Sequence, residues 1–158
     1  MFRPIRRKKN EISPEASKKL LVSERRGILA LNGEDDYPYA IPINYLYCEE
    51  ENRIYFHGAR TGYKAELIKR NSKVCFTVFG NERFREEAWA PYVQSVVVFG
   101  RCTAIEKKEE AIEQIRKFAR KYYPDENAIE VEIAASGNAV QMYVIEIEYM
   151  TGKEVQER

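Results

Sequence analysis

The stretch RIYFHGARTGYKAELIKRNSKVCFTVF, residues 53–79, decides the fold class. Its two ends, 53–57 and 73–79, are rich in β-branched and aromatic residues, which is typical of strands. Between them, residues 61–71 predict a short helix. The glycines and cations crowded before this helix raise the question of what brings them together, since like charges repel.

Four further segments have the composition of strands. Residues 27–32 and 37–47 flank the polar turn GEDD and predict a hairpin. Residues 94–105 are apolar on both faces over their first half, as expected for a strand covered on both sides. Residues 140–150 form the last segment, with alternate residues on one face.

Two longer helices are predicted, one before the first strand and one between the last two strands. Ser13 followed by Pro14 is a helix start, and this helix extends to about residue 25. A second helix covers residues 107–123 and is stopped by Pro124. Six mostly hairpin-connected strands with peripheral helices predict a mainly β (α+β) fold, a six-stranded antiparallel barrel.

Length and composition predict one soluble domain. The chain has 158 residues, 44% hydrophobic and 32% charged, with a net charge of +1. No apolar segment reaches the roughly 20 residues of a membrane-spanning helix, so we expect a cytoplasmic protein without a membrane partner. The near-neutral charge argues against a nucleic-acid partner. We assign 1–12 as a basic arm that acts as a solvated tail, 13–153 as the domain and 154–158 as a C-terminal tail.

The three cysteines do not form a recognisable framework. Cys48, Cys75 and Cys102 are widely spaced and lie in apolar or strand-like surroundings. This pattern favours neither disulfides nor a zinc site, and we expect no metal. We interpret the three cysteines as buried packing residues.

The start of the predicted short helix has the features of an anion site. If Thr61 caps a helix that begins at Gly62, the first turn offers free backbone amides, a hydroxyl and the Lys64 ammonium, which together suit a phosphate. Arg60 and His57 lie nearby, where cations are disfavoured unless an anion compensates them. The equally weighted alternative is that Lys64 points into water and Thr61 is only a cap.

Pro42 and Asn44 suggest a ligand beside the second strand. A proline within a strand cannot donate to the ladder and is confined to edges, starts or bulges, where neighbouring backbone groups are free. The Asn44 amide has the donor and acceptor needed to bind a planar heteroaromatic ring. An ordinary proline at the barrel rim is the alternative.

The single histidine is the side chain expected to titrate near neutrality. His57 is a candidate proton or hydrogen-bond donor to a substrate. The alternative role, binding a backbone carbonyl at the end of a strand, has equal weight. With one histidine and no acidic residue near it in sequence, a hydrolytic triad is not indicated.

Taken in order, PYAIPINY, IYFHGARTGYK, KVCFTVF, SVVVFG and a late TGK resemble the FMN-binding split-barrel family of pyridoxamine 5'-phosphate oxidase relatives. The similarity is greatest to the nitroimidazole-resistance-like branch, and it covers about residues 7–153. It implies a split β-barrel that binds FMN, as a homodimer with the cofactor at the subunit interface. A C-terminal arginine and histidine pattern for pyridoxamine phosphate is missing, so that substrate is not indicated.

The resemblance also implies the cofactor-binding residues, which fall into three groups. The first would border the isoalloxazine, the second would lie beside the ring and ribityl chain or hold the phosphate, and the third would approach from the fifth strand. In that order they are Pro42, Ile43, Asn44 and Tyr45; His57, Gly58, Ala59, Thr61, Gly62 and Lys64; and Ser95 and Val96.

The expected function is that of an FMN-dependent oxidoreductase acting on a small nitroaromatic- or quinone-like substrate, with His57 as the candidate catalytic residue. The alternative is a non-catalytic protein that binds or stores flavin, haem or deazaflavin. Trp89 and Tyr92 could cover the flavin, but anchoring their loop in the core is the favoured interpretation.

Overall fold

The structure, a computed structural model, describes residues 1–86 and 89–156. Within these ranges lie seven strands and four α-helices. The strands are β1 (Arg26–Asn32), β2 (Pro38–Asn44), β3 (Leu46–Cys48), β4 (Arg53–Ala59), β5 (Lys73–Arg83), β6 (Tyr92–Ala104) and β7 (Val140–Gln156). The helices are α1 (Pro14–Ser23), α2 (Tyr63–Arg70), α3 (Lys108–Tyr122) and α4 (Glu126–Ser136). None of them is long and apolar enough to cross a membrane.

All seven strands belong to one antiparallel sheet in the order β2-β1-β5-β6-β7-β4-β3. The sheet curls into a split β-barrel, which confirms the predicted fold class. The predicted count of six strands is wrong, because the segment 37–47 forms two strands with different partners. β2 pairs with β1 at one end of the sheet, and β3 pairs with β4 at the other.

Tyr45 is the residue at which the chain passes from one end of the sheet to the other. Its backbone N–H is not paired within the sheet and donates a hydrogen bond to the hydroxyl of Tyr122 instead, at 2.9 Å. Its carbonyl accepts hydrogen bonds from Tyr122 and from Nζ of Lys121. Side chains of α3 therefore satisfy the backbone groups that the strand break leaves unpaired.

Alternation along each strand separates an inner and an outer face. The inner face forms the main core, in which Leu29, Phe56, Phe76 and Val98 are fully buried. On the outer face, α3 covers a second apolar cluster around Met142. The outer face of β1 and β5 lies beyond this cluster and is uncovered at Phe79, which is 66% exposed.

The N-terminal segment packs against the end of β7. The backbone N–H of Ile12 donates to the carbonyl of Gly152 at 3.0 Å, and the backbone of Glu11 forms an isolated antiparallel β-bridge with Lys153. β7 continues to Gln156, so it includes the first three residues of the assigned C-terminal tail. Ser13 caps α1 as predicted, since its hydroxyl accepts from the N–H of Ala16 at 3.1 Å.

The predicted burial of the cysteines holds for one of the three. Cys102 is fully buried, and burial raises the pKa of its thiol to about 12. Cys48 and Cys75 are half-buried because they lie on the outer face. All three are free thiols.

Candidate functional site

The strand register brings two of the predicted groups together at one end of the barrel. Leu46 of β3 pairs with Tyr55 of β4. β2 ends at Asn44, two residues before Leu46, and β2 contacts β4. Since α2 begins four residues after β4 ends, its first turn lies at the same end.

The four predicted residues of the second strand are divided between the two faces. Pro42 is exposed and Asn44 is half-buried, and both point away from the core. Ile43 and Tyr45 point into it. Tyr45 is fully buried, with its ring edge-on to Phe76 at 4.8 Å. Its side chain therefore has no surface on which to meet a ligand.

The first turn of α2 lacks a side-chain cap. Gly62 is the N-cap with φ +111°, a left-handed conformation that favours glycine, and no side chain caps the helix there. The proposed capping role of Thr61 is therefore wrong. Thr61 is exposed, and within the described residues its hydroxyl has no hydrogen bond. The backbone amides of this turn keep the positive end of the helix dipole open.

Lys64 lies across the inner face of β4 close to this turn. A Cβ added at Gly58 would lie 2.7 Å from Nζ of Lys64, so only glycine leaves room for the lysine chain. The ammonium is 5.6 Å from the centroid of the Phe56 ring. Burial lowers the Lys64 pKa. In the described part of the chain this half-buried cation has no ion-pair or hydrogen-bond partner, which leaves it available to an anion.

A neighbouring cation is occupied elsewhere. The guanidinium of Arg60 donates to the carbonyl of Asn138 at 2.9 and 3.0 Å, and more weakly to Oε1 of Gln141. Arg60 therefore holds the turn between α4 and β7. Of the cations that the sequence places near the start of α2, Arg60 is therefore not available to a ligand, and Lys64 and His57 remain.

His57 lies on the opposite face of β4 from Lys64. Its ring meets Phe118 of α3 edge to face, with centroids 4.9 Å apart. Burial, and secondarily the charge of Lys64, lower the pKa of His57. The side chain is nonetheless partly exposed. The lowered pKa favours the neutral form of the His57 imidazole.

The third predicted group lies towards the opposite end of β7 from the second. Ser95 pairs with Lys153 on β7, whereas Gly58 pairs with Gln141 on the same strand, twelve residues away. At about 3.3 Å per residue this is roughly 40 Å along the strand. Ser95 faces outward, and Val96 is fully buried in the core.

The favoured interpretation of the β5–β6 loop as an anchor is wrong for Trp89. Its side chain is 94% exposed, so it packs into no core. Tyr92 is half-buried, and the Arg85 guanidinium lies 4.4 Å from its ring centroid.

Sequence reasoning did not single out Tyr143. Its ring stacks on Phe56 at 5.1 Å, and its hydroxyl donates to the carbonyl of Ala59 at 3.2 Å. The residue thus supports the strand beneath Lys64. Its position on the inward face of the last strand was predictable, but its cross-strand partner was not.

Comparison with known proteins identifies the family. The family model of pyridoxamine 5'-phosphate oxidase matches residues 13–154. The chain belongs to this family. No curated protein sequence matches the chain significantly.

Several solved structures share the family fold. A protein assigned to 5-nitroimidazole antibiotic resistance from Bacteroides thetaiotaomicron has a TM-score of 0.76 at 20% identity, covering 90% of this chain and 84% of that one. An FAD-binding protein from Mesorhizobium loti has a TM-score of 0.63 at 24% identity, with coverage of 92% and 96%. An FAD and haem binding protein from Mycobacterium smegmatis has a TM-score of 0.73 at 17% identity, with coverage of 96% and 75%. At these identities the likeness establishes the fold.

Proposed function

We propose that this chain is an FMN-binding flavoprotein and an oxidoreductase for a small nitroaromatic- or quinone-like substrate. The observation that carries the proposal is the half-buried Lys64 ammonium, which has no ion-pair or hydrogen-bond partner among the described residues and lies beside the uncapped first turn of α2. A half-buried cation is disfavoured unless an anion compensates it. The FMN phosphate is such an anion.

The residues at this end of the barrel suit a mononucleotide. Lys64, the Thr61 hydroxyl and the first backbone amides of α2 supply donors to the phosphate. The absence of a side chain at Gly58 keeps Lys64 against the strand. Asn44, half-buried on the face that Pro42 shares, supplies a donor and an acceptor for the edge of a heteroaromatic ring.

A second copy of the chain would complete the site. Ser95 and Gly58, against which Lys64 lies, pair with residues of β7 that are twelve positions apart. If Ser95 contacts the flavin, we infer that it is Ser95 of the partner subunit. The outer face of β5, where Phe79 is exposed directly opposite Ser95 of β6, offers an apolar surface for such a dimer.

Bound FMN would supply hydride and electron transfer, and the chain would supply position and proton control. The neutral imidazole of His57 can donate a hydrogen bond to a substrate oxygen but is a poor source of a full proton at pH 7. We therefore assign His57 the role of a hydrogen-bond donor.

The experiment compares binding and turnover. Protein loaded with FMN is mixed anaerobically with NADPH or NADH and a nitroaromatic or quinone, and loss of the reduced nicotinamide is followed. Substrate-dependent oxidation above that of free FMN supports an oxidoreductase. Stable FMN binding without turnover would instead support the binding or storage role, and failure to bind FMN would contradict the proposed FMN site.

A further inference from the structure

A second concave site lies between the N-terminal arm and the outer face of β6 and β7. The cavity has a volume of about 400 Å³, within the range of small-molecule sites. Its floor includes Val97 and Val155, and Ile5 of the arm contributes a third apolar side chain. Ser95 and Thr151 add two hydroxyl groups.

Three cations line the same cavity. Arg6 and Arg7 come from the arm, and Lys153 comes from β7. None of the three has a side-chain ion pair or hydrogen bond within residues 1–86 and 89–156. The cavity-lining residues include no carboxylate. The residues that line the cavity therefore carry a net positive charge, although the whole chain carries only +1.

Specific contacts hold the arm in place and so form the cavity. The ring of Phe2 stacks on Tyr149 at 5.1 Å and on Phe99 at 5.4 Å. The Tyr149 hydroxyl donates to the carbonyl of Arg3 at 3.3 Å. The prediction that the arm is a solvated tail is therefore wrong for its packing, although its cations remain exposed.

We propose that this cavity binds a small organic carboxylate with a compact apolar body. Guanidinium and ammonium groups with nearby hydroxyls match a carboxylate, which accepts several charge-assisted hydrogen bonds. The valines and the isoleucine match the rest of such a ligand through apolar contact. A neutral compound of the same shape makes the apolar contacts but not the charge-assisted hydrogen bonds.

The assignment extends the proposed function in one respect. Ser95 belongs both to this cavity and to the residues proposed to approach the flavin of the other subunit. If that function holds, the carboxylate group belongs to the substrate, and the substrate class is an organic acid carrying the reducible group. This last step rests on the proposed dimeric flavoprotein, whereas binding at the cavity does not.

The test is a titration of the full chain, without flavin, with benzoate and with benzyl alcohol, followed by amide chemical shifts in NMR spectra. We expect saturable shifts at Ser95, Val97, Thr151 and Lys153 with benzoate, and binding at least about tenfold weaker with benzyl alcohol. The titration without flavin separates this proposal from the proposed function, because benzoate binding at the cavity is expected even of a protein that does not retain FMN.

Matched variants test the role of the cations. The double variant R6Q/R7Q should lose about tenfold in benzoate affinity, whereas R3Q/K9Q removes the same charge from the arm outside the cavity and should change it less than about twofold. F2A should also weaken binding, because it releases the arm with every cation still present. Any of three results would overturn the proposal: equal affinities for benzoate and benzyl alcohol, equal effects of the two double variants, or chemical shifts that do not saturate.

Discussion

Gly58 and Lys64 are in direct contact: a methyl group at residue 58 would lie 2.7 Å from the lysine Nζ and 3.0 Å from its Cε. This contact joins the end of β4 to the first turn of α2. It also explains why a lysine ammonium can lie against a strand instead of extending into water. The missing side chain at residue 58 is thus part of the proposed phosphate site.

Replacement of Lys64 by alanine should weaken FMN binding by about 1.5–3 kcal/mol, because one charge-assisted hydrogen bond to phosphate is lost. Titration of the protein with FMN, followed by flavin fluorescence, measures the change. Lys69 is exposed on the same helix, so K69A is the matched control and should bind FMN as the wild type does. Equal losses in both variants would remove Lys64 from the site.

Gly58→Ala should weaken FMN binding about tenfold without unfolding the protein. The added methyl group meets the flexible end of Lys64, which can move away, and not a rigid backbone group. FMN titration and a thermal melt are the two measurements. A large fall in melting temperature would show that the glycine serves the fold instead.

The pKa of His57 should lie below the ordinary histidine value of about 6.5. In F118A the ring loses its covering neighbour, so its pKa should rise toward the ordinary value. Because the folded-state pKa is the lower one, His57 should reduce stability as the pH falls below about 6.5. NMR titration of the imidazole checks the pKa directly, and an elevated value in the wild type would contradict this account.

Lys121 should make stability depend on alkaline pH. Burial, and then the charge of Arg25, lower the Lys121 pKa from 10.5 to about 8. The unfolded chain therefore holds a proton that the folded chain has lost between pH 8 and 10.5, so stability should rise across that window. We expect a gain of about 1–2 kcal/mol relative to K121M, allowing for the exposed part of the side chain. Denaturant unfolding at both pH values measures it, and parallel profiles would contradict the shift.

The proposed dimer should depend on Phe79. Its side chain is 66% exposed on the uncovered outer face, and a charge there would oppose association. Sedimentation should give about twice the 18.5 kDa chain mass for the wild type and a monomer for F79D. V131D, at a 70% exposed position on α4, is the control and should remain dimeric. A monomeric wild type would remove the second copy from the proposed site.

Strand periodicity and cap chemistry predicted most elements but missed two features of the fold. Residues 126–136 form α4, although Ile129, Val131 and Ile133 alternate with glutamates as in a strand. Asp125 caps this helix, accepting from two backbone amides, and only Ile129 is buried. The break at Tyr45 was hidden because its partners lie on α3, 76 and 77 residues away.

The candidate site was predictable where it depends on local backbone, and not where it depends on distant partners. The start of a short helix near Gly62 and the lysine in its first turn follow from local sequence, although the cap is Gly62 and not Thr61. Three other features depend on contacts between distant segments. They are the hydrogen bonds of Arg60 to the Asn138 carbonyl, the burial of Tyr45 and the packing of Phe2, which holds the N-terminal arm. Sequence spacing does not reveal such contacts.

The most direct test of the central claim compares FMN with riboflavin, which lacks the phosphate, in titrations of the wild-type protein. If Lys64 and the first turn of α2 hold the phosphate, FMN should bind at least about 30-fold more tightly, and K64A should remove most of that difference. Equal affinities of the wild-type protein for the two flavins would contradict the phosphate site.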